Sequence, residues 1–330
     1  MPQPDLSPEP AILLAGITKR FGDHLAVDGL DLAVPRGATY GLLGPNGAGK
    51  TTAIRILLRI LEPDAGRVRL LGMPVRREVL DRVGYLPEER GLYRRMRVRD
   101  LLAFLAELKG VPGRASQPRI AAWLERFDLA DRAEDRVQDL SKGMQQKLQF
   151  IAAVLHEPQV VVLDEPFGGL DPINQRILRE IVTELRGKGC TLLFSTHLIE
   201  NAERLCDHVC IIARGRKIVD GPLARVRREH GGTYIALTLD GADEPGADGP
   251  GADGLGAAQR SVQSIREAPL VERVTADGSE LEVALIDGAQ SNEFLAWLVE
   301  RGISLRRFER VEPSLQQIFI ERVGVEPDRV

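Results

Sequence analysis

Three stretches of the chain carry residue types that could bind a nucleotide and cleave a phosphoanhydride. The first matches the pattern GxxxxGK[ST] and consists of Gly44, Pro45, Asn46, Gly47, Ala48, Gly49, Lys50, Thr51 and Thr52. Glycines in such a loop let successive backbone N–H groups turn towards phosphate oxygens, and a helix starting after the loop adds its positive end. We predict that Lys50 reaches the β- and γ-phosphates of ATP and that the Thr51 hydroxyl ligates Mg²⁺.

The second stretch consists of two carboxylates that follow a short apolar run, Val160–Leu163. An apolar run of β-branched character predicts a strand buried on both faces, and open α/β sheets bind ligands at the carboxyl ends of their strands. Asp164 is therefore predicted to hold Mg²⁺ through water, and Glu165 to be the general base that polarises the attacking water. A solvated turn with adjacent carboxylates is the alternative, and the phosphate-binding loop upstream argues against it.

The third stretch is Ser195-Thr196-His197, which follows the predicted strand Thr191–Phe194. A lone histidine is usually structural, but this one falls at a strand end, on the sheet edge where the phosphates are expected. Because an imidazole there can hydrogen-bond the γ-phosphate, His197 is a candidate sensor of that group.

The elements that must position the loop can also be identified. The residues Ala38–Leu43 form an apolar run typical of a buried strand, and Ala53–Leu58 show the pattern of a largely buried helix. Strand, phosphate-binding loop and helix in this order predict an α/β fold of the P-loop NTPase class.

Four further segments resemble motifs of one protein family. The segment Leu140–Met144 is similar to the signature loop of ABC transporter ATP-binding subunits, and Lys19–Gly22, Gly84–Glu88 and Gly168–Pro172 are similar to other loops of that family. The resemblance covers residues 11 to 222 and keeps the order of the motifs. It implies an exporter-type ATPase subunit that dimerises around two Mg-ATP and drives a separate membrane permease.

The resemblance also implies roles for individual residues. Phe21 would stack on adenine, and Glu88 would reach towards Mg²⁺ through water. A signature loop would face the nucleotide of a second copy of the chain, with the residues Ser141, Lys142, Gly143 and Met144. A loop coupling the two sites of the dimer would consist of Gly169, Leu170 and Asp171. For Ser141 an ordinary helix N-cap is an alternative, and the two interpretations are compatible.

Two positions depart from the family pattern. Glu88 stands where glutamine is usual, so it adds negative charge near the phosphates and is expected to make ATP affinity more dependent on Mg²⁺. Lys142 replaces the first glycine of the signature loop, but the backbone donor at Gly143 is retained, and activity is expected to persist. The same departures motivate an alternative, a regulatory protein that binds ATP and hardly hydrolyses it.

The composition narrows the class of protein. The chain has 330 residues and a formal net charge of −4 at pH 7, without the basic footprint of a nucleic-acid-binding protein. No apolar run is long enough to span a bilayer, and the first residues do not resemble a signal peptide. We therefore expect a cytoplasmic protein, peripheral on the inner face of the cell membrane through its permease. The alternative from another class is a soluble ABC ATPase acting on nucleic acid or the ribosome, although the insertions or second cassette of such relatives are lacking.

The pattern along the chain predicts several regions. They are a flexible N-terminus (1–10), an ATP-binding domain (11–222) with a helical subdomain (88–158), and a small C-terminal α/β domain (223–330) with a flexible loop (240–260). In the last domain we predict strands at Thr233–Leu239, Glu280–Ile286 and Ile303–Val311, and helices at Asn292–Arg301 and Ser314–Arg322. This domain resembles an accessory domain of exporter ATPases, for which dimer support, regulation or a purely structural role are all open.

Overall fold

The computed structural model describes residues 9–89, 91–229, 233–240, 257–277, 280–286 and 288–324. Contacts between residues divide the chain into two compact units. The first contains the residues up to Leu223 together with those from Phe319 on, and the second is Ala224–Ile318. The described residues contain no helix with the length and apolar character needed to cross a membrane.

The first unit combines strands and helices in alternation. Its strands are β1 (Ile12–Phe21), β2 (His24–Val34), β3 (Thr39–Leu43), β4 (Ala65–Leu70), β5 (Met73–Pro74), β6 (Val83–Leu86), β7 (Val160–Asp164), β8 (Thr191–Thr196), β9 (His208–Ala213) and β10 (Arg216–Pro222). Its helices are α1 (Lys50–Leu57), α2 (Arg77–Leu80), α3 (Val98–Leu108), α4 (Gly113–Arg126), α5 (Lys142–Val154), α6 (Pro172–Gly187) and α7 (Ile199–Leu205).

The central sheet of this unit has six strands in the order β10-β9-β3-β8-β7-β6. The strands from β9 to β6 run parallel, and β10 pairs with β9 in the antiparallel sense. Every residue of β3 and β7 is buried, as expected for apolar strands in the middle of a parallel sheet. The carboxyl ends of β3, β8, β7 and β6 therefore meet at one edge, in that order.

A second, antiparallel sheet has the strand order β2-β1-β4-β5. Its first two strands form a hairpin in which Phe21 pairs with His24. The Phe21 ring is 48% exposed although most apolar side chains of the sheet are buried, which makes it a surface available to a ligand.

The segment between β6 and β7 is helical. It contains α3, α4 and α5, with short 3₁₀ helices at Ala130–Arg132 and Val137–Asp139. The structure thus has the predicted α/β architecture, a mostly parallel sheet with a helical subdomain between β6 and β7.

The second unit contains a four-stranded antiparallel sheet and helices. Its elements are α8 (Leu223–Glu229), β11 (Tyr234–Leu239), α9 (Ala257–Arg266), β12 (Val271–Asp277), β13 (Glu280–Leu285), α10 (Ser291–Glu300) and β14 (Leu305–Val311), followed by α11 (Leu315–Val323), in which the division between the units falls. The strand order is β12-β13-β11-β14. Alternate residues of β11 and β13 pack with Ile265, Phe294 and Leu298 into a separate core.

In two segments that the sequence predicts to be flexible, the structure differs in part from the prediction. Residues 257–260 belong to α9 and not to the loop 240–260, and the rest of that loop from 241 to 256 lies outside the described residues. In the predicted N-terminus 1–10, residues 1–8 lie outside as well. Glu9 is held, because its carbonyl accepts a hydrogen bond from Arg36 (3.1 Å) and its carboxylate lies 3.3 Å from Arg69.

Candidate nucleotide-binding site

The glycine-rich loop connects β3 to α1, and its backbone leaves no room for side chains at two positions. A Cβ atom on Gly44 would lie 2.3 Å from the carbonyl oxygen of Ile212, and one on Gly49 would lie 2.4 Å from that of Ala26. Gly49 also has a φ of 104° at the N-cap of α1, a conformation that glycine adopts readily. The loop therefore presents its backbone N–H groups at a helix N-terminus, the arrangement that binds phosphate.

The Lys50 side chain lies within this loop and is buried. Its ammonium group donates hydrogen bonds to the carbonyl oxygens of Gly44 (2.7 Å) and Pro45 (3.2 Å). Burial lowers the pKa of Lys50, against the attraction of Glu165, Asp164 and Glu88, which raises it. One cation thus lies among three carboxylates at the carboxyl edge of the sheet.

Asp164 is fully buried at the end of β7, opposite Ser195 on β8. The Ser195 hydroxyl donates a hydrogen bond to Oδ1 of Asp164, while Oδ2 has no hydrogen-bond partner among the described residues. A buried carboxylate oxygen without a partner is costly. Asp164 therefore suits a cation or a metal-bound water.

Glu165 has an unusual backbone conformation. Its φ is 49°, in the left-handed region that non-glycine residues seldom adopt. The Glu165 amide donates to both the carbonyl oxygen and the hydroxyl of Ser195, each at 3.2 Å. Such strain clusters at functional sites, where surrounding contacts hold it. Here the contacts with Ser195 set the direction of the Glu165 side chain.

The Glu165 carboxylate lies between two groups that carry or can carry positive charge. Its Oε1 atom is 3.8 Å from the Lys50 ammonium and 2.9 Å from Nδ1 of His197. The angles at the His197 contact do not make a hydrogen bond, and neither atom has another hydrogen-bond partner in the described part of the chain. Both atoms can therefore turn to a ligand.

Lys50 and Glu165 border a cleft of about 410 Å³, a size common for small-molecule sites. The lining residues are Phe21, His24, Ala26, Asn46, Gly47, Ala48, Gly49, Lys50, Thr51, Thr52, Glu88 and Glu165. Most of the predicted nucleotide-binding residues are thus brought together. Asp164 and His197 do not line the cleft, and they reach it through their proximity to Lys50 and Glu165.

The predicted signature loop begins a helix and is absent from the described lining of this cleft. Ser141 is the N-cap of α5, and its hydroxyl accepts a hydrogen bond from the Met144 amide at 3.3 Å. Asp171 caps α6 in the same way, accepting from the Asn174 amide at 3.0 Å. This hydrogen bond lowers the pKa of Asp171. Within one chain, both loops therefore have the geometry of ordinary helix starts.

Sequence reasoning missed three residues of the site. His24 and Ala26 line the cleft because the hairpin folds them towards the phosphate-binding loop. Ser195 was noted only as part of a motif, yet it contacts both Asp164 and Glu165. The available signal was its place at the end of a predicted strand, but that signal does not say which strand lies beside it.

Comparison with known proteins identifies the family of this chain. A family model described as ABC transporter matches residues 27–168, and one described as the C-terminal domain of DrrA1-3-like ATP-binding proteins matches residues 221–323. An uncharacterized ABC transporter ATP-binding protein of Bacillus subtilis, YhaQ, is 45% identical over 93% of this chain and 97% of its own length. The chain belongs to the ABC transporter ATP-binding proteins.

Two other members of this family are informative. The Nod factor export ATP-binding protein I of Rhizobium sp. strain N33 is 37% identical over 97% of this chain and 99% of its own length. A solved structure, described as the ATP binding subunit of an ABC transporter, is 31% identical and superimposes with a TM-score of 0.63 over 66% of this chain and 92% of its own. The family binds ATP.

The residues at the cleft also fit the Mg²⁺ ion that accompanies ATP. In the described ranges no three His, Cys, Asp or Glu side chains come together as a complete cation site. The partnerless Oδ2 of Asp164 and the Thr51 hydroxyl are hard oxygen ligands, and Mg²⁺ characteristically combines few protein ligands with phosphate oxygens and water. The ion would thus bind together with the nucleotide.

Proposed function

We propose that this chain hydrolyses ATP as a subunit of an ABC exporter, working as a dimer around two Mg-ATP and driving a separate membrane permease. The position of Glu165 carries the proposal. Its carboxylate is held by a strained backbone between Lys50 and His197, at the cleft that the phosphate-binding loop forms. A pure binding protein has no need of such a base.

The chemistry follows from these positions. Glu165 accepts a proton from a water molecule as that water attacks the γ-phosphorus, and the bond from the γ-phosphorus to the bridging oxygen of ADP breaks. Lys50 neutralises charge on the β- and γ-phosphates, and His197 orients the γ-phosphate. Thr51 directly, and Asp164 and Glu88 through water, would hold Mg²⁺, which would supply further charge neutralisation.

Dimerisation completes the site in this proposal. The α5 helix begins at the signature loop, with the Gly143 N–H and its neighbours at a helix end that can meet a γ-phosphate. Because this loop does not line the described cleft of its own chain, the nucleotide it meets in this proposal belongs to a second copy. The coupling loop at Gly169–Asp171 would lie beside it.

The membrane partner would dock on the helical subdomain, residues 88–158. There Tyr93 (56% exposed) packs edge-on against Phe104 (37% exposed), and Leu108 on the same helix is 53% exposed. Exposed apolar side chains in contact with one another mark interaction surfaces. This docking would hold the protein at the inner face of the cell membrane. Export as the direction of transport is supported by the name of the Nod factor relative.

The test of hydrolysis is the variant Glu165→Gln. It keeps the shape of the side chain and removes the base, so we expect ATP binding within threefold of wild type, turnover lowered about 100-fold or more, and an ATP-dependent dimer by size-exclusion chromatography. Glu157→Gln, an exposed glutamate away from the cleft, is the control. Normal turnover by Glu165→Gln would remove Glu165 as the base.

The partner is tested separately by capturing proteins from native membranes with tagged Glu165→Gln protein and ATP, followed by mass spectrometry. Recovery of a multi-spanning membrane protein supports the exporter. Recovery of soluble partners alone, with ATPase activity stimulated by nucleic acid or ribosomes, would instead identify a soluble ABC ATPase.

A further inference from the structure

The segment after β6 connects the two helices on which the proposed function depends. Glu88 lines the cleft, and the next residue, Glu89, contacts both helices. Its carboxylate lies 3.0 Å from the guanidinium of Arg55 on α1, the helix that begins at Lys50. Its carbonyl oxygen accepts a hydrogen bond of 3.1 Å from the Gln149 amide on α5, the helix that begins at the signature loop.

Gln149 is a costly residue for its position. It is only 4% exposed, and its Oε1 atom has no hydrogen-bond partner among the described residues. A leucine of similar volume would avoid the cost of burying that oxygen. We therefore infer that the main effect of the Gln149 amide is to hold the Glu89 backbone in one position, and that it contributes little to stability.

The segment around Glu88 is fixed on both sides. Before it, β6 pairs with β7 in the central sheet, and the charge of Arg55 opposes the burial that raises the pKa of Tyr85 on β6 to about 12. After it, Glu89 is held by its contacts with Arg55 and Gln149. Since Glu88 lies between β6 and Glu89 along the chain, its freedom to leave the cleft is small.

We propose that Gln149 and Arg55 are positioning residues, which hold the Glu89 segment so that the Glu88 carboxylate faces Mg²⁺ and thereby couple the position of the signature helix to nucleotide binding. The inference rests on the proposed function for the identity of the cation. It goes further by naming the contacts through which a movement of α5 changes the cation affinity of the cleft.

The test is an equilibrium measurement on the full chain that needs no hydrolysis. The affinity for fluorescent mant-ATP is measured by anisotropy in saturating Mg²⁺ and in EDTA. The dissociation constant in EDTA divided by that in Mg²⁺ is the ratio that reports the Mg²⁺ contribution. We expect Gln149→Leu and Arg55→Met each to lower this ratio about fivefold, which corresponds to about 1 kcal/mol. Arg59→Met is the matched control, because Arg59 follows on from the same helix and pairs with Glu62.

A double-mutant cycle separates positioning from general damage. If Gln149 acts through Glu88, Gln149→Leu has no further effect on the ratio once Glu88→Ala is present. An unchanged ratio in Gln149→Leu and Arg55→Met, or effects that add to that of Glu88→Ala, would overturn the proposal. Arg55 is partly exposed, so its variant stays informative if Gln149→Leu folds poorly.

The outcome is distinguishable from a failure of the proposed function. A wild-type protein that binds mant-ATP more tightly with Mg²⁺, yet shows no turnover even with its membrane partner, would refute hydrolysis and leave the cycle interpretable. Where turnover is present, the positioning variants should also need more Mg²⁺ for half-maximal rate, and their KM for ATP at saturating Mg²⁺ should rise together with the dissociation constant measured there.

Discussion

The Nδ1 atom of His197 lies 2.9 Å from the Oε1 atom of Glu165, and the two residues follow adjacent strands of the central sheet, β8 and β7. Because the angles do not make a hydrogen bond, the contact leaves the imidazole available to a phosphate oxygen. The pair thus places a candidate base, which lines the cleft, directly beside a candidate phosphate sensor.

We expect His197→Ala to lower turnover about 100-fold, since a positioned side chain acting in proton transfer or orientation contributes on this scale, with ATP affinity within threefold of wild type. Steady-state phosphate release and equilibrium binding give the two numbers. His156→Gln, at the opposite edge of the sheet, is the control. Turnover that survives in His197→Ala would show that the γ-phosphate is oriented by other groups.

Ser195→Ala is expected to lower turnover about tenfold, because Asp164 loses its donor and the strained Glu165 backbone loses one of its two acceptors. Stability should fall by about 1–3 kcal/mol, the cost of a buried polar group left without its partner. Ser116→Ala is the control for the loss of stability. It removes an equally buried hydroxyl on α4, which donates a hydrogen bond to the Gly113 carbonyl. Equal turnover in the two variants would contradict the positioning role of Ser195.

Phe21→Ala should weaken ATP binding about tenfold, because the exposed ring would lose its contact with adenine, while Phe21→Tyr should retain the affinity. The Lys19 ammonium lies 5.7 Å from the centre of the Phe21 ring and helps to hold the ring in place. Thermal stability should be unchanged, since the ring is 48% exposed. An affinity unaffected by Phe21→Ala would place the adenine elsewhere.

His156 makes stability depend on pH. Burial, together with repulsion from Lys109, lowers the pKa of His156 from 6.5 to about 4. Between these values the unfolded chain binds a proton that the folded chain does not, so stability falls as the pH drops from 6.5 towards 4. At pH 5 the loss amounts to about 2 kcal/mol at most. His156→Gln should lack this loss in urea unfolding at pH 7 and pH 5, followed by Trp123 fluorescence in a Trp297→Phe background; equal pH dependence would contradict it.

The fold was predictable where patterns are local and strong. Strands such as Val160–Asp164 and helices such as Ser291–Glu300 were found within one or two residues. The strand β12 and the helix α9 were missed for physical reasons. The first is an edge strand whose sequence shows little alternation, and its residues 271–275 are only partly buried or exposed. The second directly follows a Gly-, Ala- and Asp-rich stretch whose composition indicated a loop.

The sequence by itself determined the chemistry of each motif, because a phosphate-binding loop, a carboxylate at a strand end and a helix N-cap depend on residues a few positions apart. Only the tertiary structure decided which of them meet. Lys50, His197, Glu165 and Glu88 follow β3, β8, β7 and β6, which are neighbours in the sheet but far apart in the chain. Strand order depends on how whole apolar faces pack, and that is why the contact of Ser195 with Asp164, and the link from Gln149 to Glu89, appeared only in the folded chain.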